Sequence, residues 1–482
     1  MTDPRASAPP RAPTTEELLP EWMSGQRWYT GKGRLPRLRR VGGFRLEDPA
    51  GEVVIETHIV ADMSLAPPVV YQVPLSYRGG PLPGADHALV ASALPTEHGR
   101  RWVYDAPHDP RYAQLLMRLI LDGGRSSLPD RAGTTDRGAD GHCTGPRTDL
   151  RVDSSTVLRG EQSNTSVVCR MRDASGSPAE PVIVKVFRVL QPGDNPDVVV
   201  QAALSAAGST QVPPTIGYVG ARWGSPADPA GRGAVVGGHV AFAQRFFPGV
   251  EDAWRVASRA VAERTSFAGP ARELGAATAR IHVQLAQCFG TTPATAAAKS
   301  GLLASIGSRY GAALAAVPAL TAHDSVIRSV IAGIARAPWP PLQRVHGDYH
   351  LGQVLHVGDR GWVAVDFEGE PLRPLTERIR PDLALRDVAG MLRSFDYAAG
   401  AAEQATPGRS ARGWADECRT AFLEGYAGVT GRPPGRDAGL TRALELDKAL
   451  YEVVYEARNR PDWLGIPVRA VERLAAESSA AP

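Results

Sequence analysis

Two carboxylates eighteen positions apart, Asp348 and Asp366, constrain this chain more than any other feature. Asp348 lies in the run His346-Gly347-Asp348-Tyr349-His350-Leu351-Gly352-Gln353, and Asp366 follows the apolar run Trp362-Val363-Ala364-Val365. Residues 354–357 and 362–365 are short β-prone runs around the turn signal Gly358-Asp359-Arg360-Gly361. This spacing predicts a hairpin that folds Asp366 back towards Asp348. A carboxylate, an amide five positions on and a second carboxylate beyond a hairpin suit phosphoryl transfer. One Asp orients and deprotonates a hydroxyl while later oxygens hold Mg²⁺ against nucleotide phosphates. The alternatives are plain loop residues, or zinc ligands at His346, Asp348 and His350. No second Cys/His cluster supplies the remaining ligands that zinc needs.

A chain of 482 residues, 43% of them hydrophobic, has room for two to three folding units with substantial cores. No apolar stretch approaches the ~20 residues of a membrane span. Residues 1–15 are Pro- and Ala-rich without an apolar core, which predicts a disordered tail, no signal peptide and a cytoplasmic location. The net charge of +3 makes no case for nucleic acid or an acidic membrane surface. Cys143, Cys169, Cys288 and Cys418 form no C-x-x-C pair and read as free thiols.

Strand-like runs at 53–60 and 68–73 and a helical pattern over Pro110 to Leu121 predict an N-terminal module over 16–121. Residues 122–149, rich in Gly, Asp, Arg and Ser, predict a mobile loop. A nucleotide-binding small lobe is expected over 150–249. Its polar turn Gly160–Ser166 offers Ser163, Asn164 and Thr165 to phosphates, although such turns are common in ordinary hairpins. Lys185 stands alone in the apolar strand 181–187, where phosphate oxygens are one destination and a snorkelling stem the other. The strand-like run 240–247 places Gln244 and Phe246 where backbone groups would meet an adenine. From 250 to 482 the pattern is mostly helical, with Ala-rich segments at 271–287, 300–316 and 323–336. The expected fold is α+β, two-lobed and protein-kinase-like, with an N-terminal cap module.

Several of these segments resemble actinobacterial maltokinases. They are Gly160–Ser166, the stretch from Phe187-Arg188 to Asn195-Pro196-Asp197, His346–Gln353, Asp366-Phe367-Glu368-Gly369-Glu370-Pro371, Arg386–Phe395, Asp447–Glu456 and Arg460-Pro461-Asp462-Trp463-Leu464. Gln26-Arg27-Trp28-Tyr29, Gly31–Arg34 and Trp102–Asp105 resemble that family's cap. The resemblance implies an aminoglycoside phosphotransferase-like fold and ATP-dependent phosphorylation of maltose to maltose 1-phosphate. Within the same superfamily, glucosamine or an aminoglycoside is the alternative acceptor, and a non-catalytic pseudokinase a third reading.

Carried over by position, the resemblance makes Asp348 the catalytic base, Gln353 and Asp366 Mg²⁺ ligands, Glu368 a further ligand or its support, and Lys185 the phosphate-contacting lysine. The family pattern places a lysine-pairing Glu two residues after Asn195-Pro196-Asp197; this chain has Val199 there. Asp197 or another acid must substitute, or nucleotide alone must hold Lys185. Sugar contacts are expected from Asp348, His350, Glu452, Tyr455, Glu456 and Trp463, against a plainer reading of core tyrosines and a solvated Lys448/Glu452 pair. Asp387 reads as a structural acid that braces the catalytic loop. Relatives of this kind occur alone, fused to trehalose synthase or in complex with it, so a trehalose synthase partner is allowed. A monomer or weak oligomer is expected.

Overall fold

The computed structural model describes residues 15–96, 99–128, 136–145, 149–158, 163–227, 234–370, 373–433 and 435–479. Residues 1–14 of the expected tail and 160–162 of the polar turn lie outside the described residues. The chain divides into two compact units, one of residues 1–202 with 214–248 and the other of 203–213 with 249–482.

The first unit holds two antiparallel sheets. Helix α1 (Thr15–Ser24) precedes strands β1 (Leu38–Leu46), β2 (Val53–Asp62), β3 (Val69–Arg78), β4 (Leu89–Thr96) and β5 (Gly99–Asp105), ordered β1-β2-β3-β5-β4. Helix α2 (Pro110–Asp122) starts where Asp109 accepts the N–H of Arg111 and stops at left-handed Gly123. The second sheet combines β6 (Ala139–Cys143), β7 (Arg151–Val157), β8 (Asn164–Arg172), β9 (Pro178–Phe187), β11 (Thr215–Gly224) and β12 (Val235–Arg245), ordered β6-β11-β12-β9-β8-β7. Between these, β10 (Val189–Leu190) leaves the second sheet and pairs with β3 of the first.

The sheets are also tied by side chains. Gln72 of β3 donates to the carbonyls of Phe187 and Val240, both at 2.9 Å. Arg188, fully buried, binds Asp105 at 2.6 Å, donates to Thr165 Oγ1 at 2.8 Å and lies 5.0 Å over the Trp28 ring. A buried guanidinium is tolerable only with such an acid beside it.

The stretch 122–149, expected as a mobile loop, carries β6, paired in register with β11 from Ala139↔Ala221 to Cys143↔Gly217. Its small residues are what permit the strand. A Cβ on Gly141 would stand 2.0 Å from the carbonyl oxygen of Leu119 in α2. Loop-like composition here reflects close approach of helix to strand.

The second unit is helical, with one three-stranded and one two-stranded sheet. After β13 (Glu251–Asp252) come α4 (Ala253–Glu263) and α5 (Ala268–Phe289). A short ladder of β14 (Thr291–Thr292) and β15 (Leu342–Gln343) flanks α6 (Ala296–Ala316) and α7 (Asp324–Arg336). The expected hairpin is present as β16 (Val354–Val357) and β17 (Gly361–Ala364), paired Val354↔Ala364 to Val357↔Gly361. Then follow α8 (Leu375–Arg378), α9 (Leu385–Ala405), α10 (Arg412–Thr430), α11 (Ala438–Asn459) and α12 (Gly465–Ser479). None of the described helices is long and apolar enough to cross a membrane. The four cysteines are free.

Candidate active site

The loop before the hairpin is held from behind by one buried carboxylate. Asp387, in the first turn of α9, accepts the N–H of His346 at 2.8 Å, the N–H of Gly347 at 2.9 Å and a bond from His282 Nε2 at 3.0 Å. Since a carboxylate only accepts, His282 carries its proton on Nε2, and its Nδ1 accepts from Tyr426 Oη at 2.9 Å. Burial alone would raise the Asp387 pKa. The hydrogen bond from His282, with help from the Gly347 amide, holds it below the ordinary carboxylate value. His346 in turn donates from Nε2 to the Val365 carbonyl at 2.9 Å, which joins the loop to the far end of the hairpin. The expected brace is therefore in place.

Within that frame Gln353 Nε2 donates to Asp366 Oδ2 at 3.0 Å. Asp366 adopts φ +67°, a left-handed conformation that Asp tolerates better than most residues, and it ends the hairpin beside the Gln353 amide. Gln353, Asp366 and Glu368 offer only hard oxygen ligands, carboxylate and amide. That donor set fits Mg²⁺ and is poor for zinc.

Asp348 faces a residue that the sequence reading placed only in a solvated pair with Glu452. Lys448 of α11 donates to Asp348 Oδ1 at 2.9 Å and to Glu370 Oε1 at 3.2 Å. Burial by itself would lower the ammonium pKa, but Asp348, Glu370 and Glu452 outweigh it and push the group above its ordinary value. Glu370 also meets Arg373 at 2.9 Å and Arg309 at 3.3 Å. Burial would raise its pKa, and the surrounding cations bring it down to about 2. Asp447, fully buried, lies 2.8 Å from Arg309 and 3.0 Å from Arg386.

The residues expected at the sugar divide into two groups. Tyr455 is 40% exposed and stacks on Tyr451 with ring centres 6.3 Å apart, while Arg460 lies over both Tyr455 and Trp463 at 5.6 and 5.0 Å. Glu456 does not fit the expectation. It is 1% exposed, with Oε1 bound by Tyr397 and Arg460 and Oε2 by Arg460, so it is buried and braces the helix. Glu452 Oε2 takes two bonds from Arg393, at 2.7 and 3.1 Å, where a solvated pair with Lys448 was the plainer expectation. His350 Nδ1 accepts the N–H of Gly352 at 3.1 Å, and burial lowers its pKa, so its ring is neutral.

In the first unit Lys185 Nζ meets Asp197 Oδ2 at 2.9 Å. Asp197 is 1% exposed, sits in the first turn of α3 (Pro196–Ala206) and is held at Oδ1 by Gln201 at 2.5 Å. Asp197 thus supplies the lysine's acid where Val199 cannot. Thr165 departs from expectation. In the β8–β9 ladder Ser166 is opposite Lys185 and Thr165 opposite Val186, so alternation turns Thr165 to the other face, where Arg188 binds it. Asn164 shares the face of Lys185. The N–H of Phe246 is given to the Pro181 carbonyl at 2.8 Å, so it cannot donate to an adenine; Gln244 lies within the β9–β12 ladder.

Residues 22–109 match the maltokinase N-terminal cap domain. A glucosamine kinase of Mycolicibacterium smegmatis is 30% identical in an alignment 415 residues long that covers 76% of this chain and 99% of that protein. The chain belongs to the actinobacterial maltokinase-like family of sugar kinases. A second glucosamine kinase, from Streptacidiphilus jiangxiensis, is 28% identical over 332 residues, 65% of this chain and 69% of the relative. The solved structure of a glucosamine kinase in complex with glucosamine, ADP and inorganic phosphate superposes with a TM-score of 0.65 at 22% identity, over 96% of this chain and all of that one. A second crystal form of glucosamine kinase gives 0.63 over 96% and 99%. The fold is therefore kinase-like with an N-terminal cap, and this maltokinase-like protein is a phosphotransferase with a hydroxyl acceptor.

Proposed function

We propose that this enzyme transfers the γ-phosphoryl group of ATP to a neutral sugar, maltose, giving maltose 1-phosphate and ADP. The observation that carries the choice of sugar is the 2.9 Å bond from Lys448 to Asp348. An amino sugar brings an ammonium that needs an uncommitted carboxylate. Glu370, Asp447, Glu452 and Glu456 each already face at least one Lys or Arg, and Asp348 itself faces Lys448. A second cation here would meet like charge with no acid to offset it. A neutral disaccharide needs hydroxyl partners and flat apolar faces, which Tyr451, Tyr455 and Trp463 offer.

In this mechanism Asp348 Oδ1 is held by Lys448 while Oδ2 takes the proton of the attacking hydroxyl. The loose transition state of phosphoryl transfer demands little basicity, so a carboxylate held by an ammonium suffices as an orienting base. Lys185, positioned by Asp197, is the cation for nucleotide phosphates, and Asn164 and Ser163 approach them from the adjoining turn. Gln353, Asp366 and Glu368 would hold Mg²⁺, which neutralises charge on the transferred group. Asp387 keeps the loop in register throughout.

The test is Mg²⁺-dependent ADP release across maltose, glucosamine, glucose and kanamycin, with Asp348→Asn as control. Maltose should give kcat/KM at least about tenfold above glucosamine, a difference of roughly 1.4 kcal/mol. A preference for glucosamine would overturn the neutral-sugar reading, and near-normal turnover by the Asn variant would remove the base assignment.

A further inference from the structure

We propose that a cavity one side chain away from the catalytic loop binds a neutral aromatic molecule bearing a single hydrogen-bond donor, of the phenol or indole class, and that its occupancy stiffens the loop. The cavity lies within the second unit and encloses about 420 Å³. That is the size of a small-molecule site, roughly 300–1,000 Å³. Its walls are largely apolar, with Val283 and Ala286 from α5, Val388 from α9, and Leu423 and Ala427 from α10. Such a lining favours a flat hydrocarbon body over water.

The polar end selects against a charged ligand. Arg432 and Asp437 both line the cavity, and their charges offset each other with Arg432 Nε 3.9 Å from Asp437 Oδ2. At that separation each retains capacity for a neutral guest. The guanidinium can lie against a ring face, and the carboxylate can accept an O–H or N–H. Because the two charges offset each other, the pair offers no net charge to hold an anion or a cation.

The consequence for the loop follows from two of the other polar residues that line the cavity, His282 and Tyr426. These two side chains form the chain Tyr426–His282–Asp387, and Asp387 holds the backbone N–H groups of His346 and Gly347. A guest packed against both rings restrains the residue that holds Asp387. That gives two sites a common element whose fluctuation both can bias.

The probe is indole, titrated into the full-length protein. Binding is followed by ligand-observed NMR, and loop order by hydrogen exchange of the His346 and Gly347 amides, neither of which depends on turnover. Indole should bind saturably and slow exchange at these amides about fivefold, a typical size for coupling between sites. Ala427→Trp fills the cavity and should abolish binding. Val283→Trp, at a half-exposed position on α5, should do the same with less burden on folding; a thermal melt of each variant reports whether it folds. Indole that does not saturate, that binds both folded variants like the parent, or that binds without slowing loop exchange overturns the proposal.

Discussion

Lys448 and Asp348 lie 100 positions apart in the chain and 2.9 Å apart in space, so the carboxylate at the head of the loop before the hairpin is paired with a cation. With Glu370 as its second acceptor, the Lys448 ammonium stays charged across the physiological range.

Replacing Lys448 with Met keeps the stem and removes the charge. It leaves Asp348 without its partner, and in our reading it also removes the repulsion that turns away an amino sugar. Losing one charge-assisted contact of this kind costs about 2–3 kcal/mol, so kcat/KM for maltose should fall roughly a hundredfold. The fall for glucosamine should be smaller, and steady-state kinetics with both sugars read the ratio directly. An equal loss for both would mean that Lys448 does not discriminate.

The nucleotide half makes a separate prediction through Asp197, which holds Lys185 at 2.9 Å. Asp197→Asn preserves shape and hydrogen bonding to Gln201 while removing the charge that keeps Lys185 extended. KM for ATP should rise about tenfold or more with little change in KM for the sugar. A rise confined to the sugar would place Lys185 outside nucleotide binding.

Asp197 also shows where sequence reasoning reached and where it stopped. The hairpin, the helices and the bracing role of Asp387 were legible because turn signals, apolar periodicity and a first-turn acid are local. The replacement of a Glu at 199 by Asp197 was legible as one of several options, because a helix turn brings neighbouring positions near the same point. Lys448 was not legible: its partners are 100 and 78 positions away, and on α11 it looks like any i,i+4 partner of Glu452. Glu456 misled for the same reason, because nothing local reveals that Tyr397 occupies it. Thr165 was misplaced by one step of strand alternation, which only the register with Val186 resolves.

Glu370 predicts a pH dependence of stability. Its folded pKa is about 2 against an ordinary 4.5, so its contribution is fully present above about pH 4.5 and lost as pH falls towards 2. The size is on the order of 3 kcal/mol at neutral pH. Glu370→Gln should therefore be less stable than the parent by roughly this amount at pH 7, and the gap should close between about pH 4.5 and 2. Urea unfolding at several pH values measures it. A gap that does not change with pH would mean that the charge of Glu370 contributes nothing and only its shape matters.

One close steric constraint on the loop comes from a residue with no side chain. A Cβ at Gly390, in the buried face of α9, would stand 2.5 Å from the carbonyl oxygen of Tyr349, the residue after Asp348. Neither partner can yield cheaply, since one is helix backbone and the other belongs to a loop fixed three residues earlier by Asp387. In an isolated helix, Gly→Ala would stabilise by roughly 1 kcal/mol. Here the loop must move by several tenths of an ångström, enough to misalign the hydroxyl acceptor. Gly390→Ala should fold, lose about 1–3 kcal/mol of stability to overpacking and drop kcat at least tenfold, with KM for ATP nearly unchanged. A thermal melt alongside kinetics separates the two effects. An Ala variant with parental kcat would show that Asp348 tolerates displacement of Tyr349, and that positioning by α9 matters less to turnover than the geometry implies.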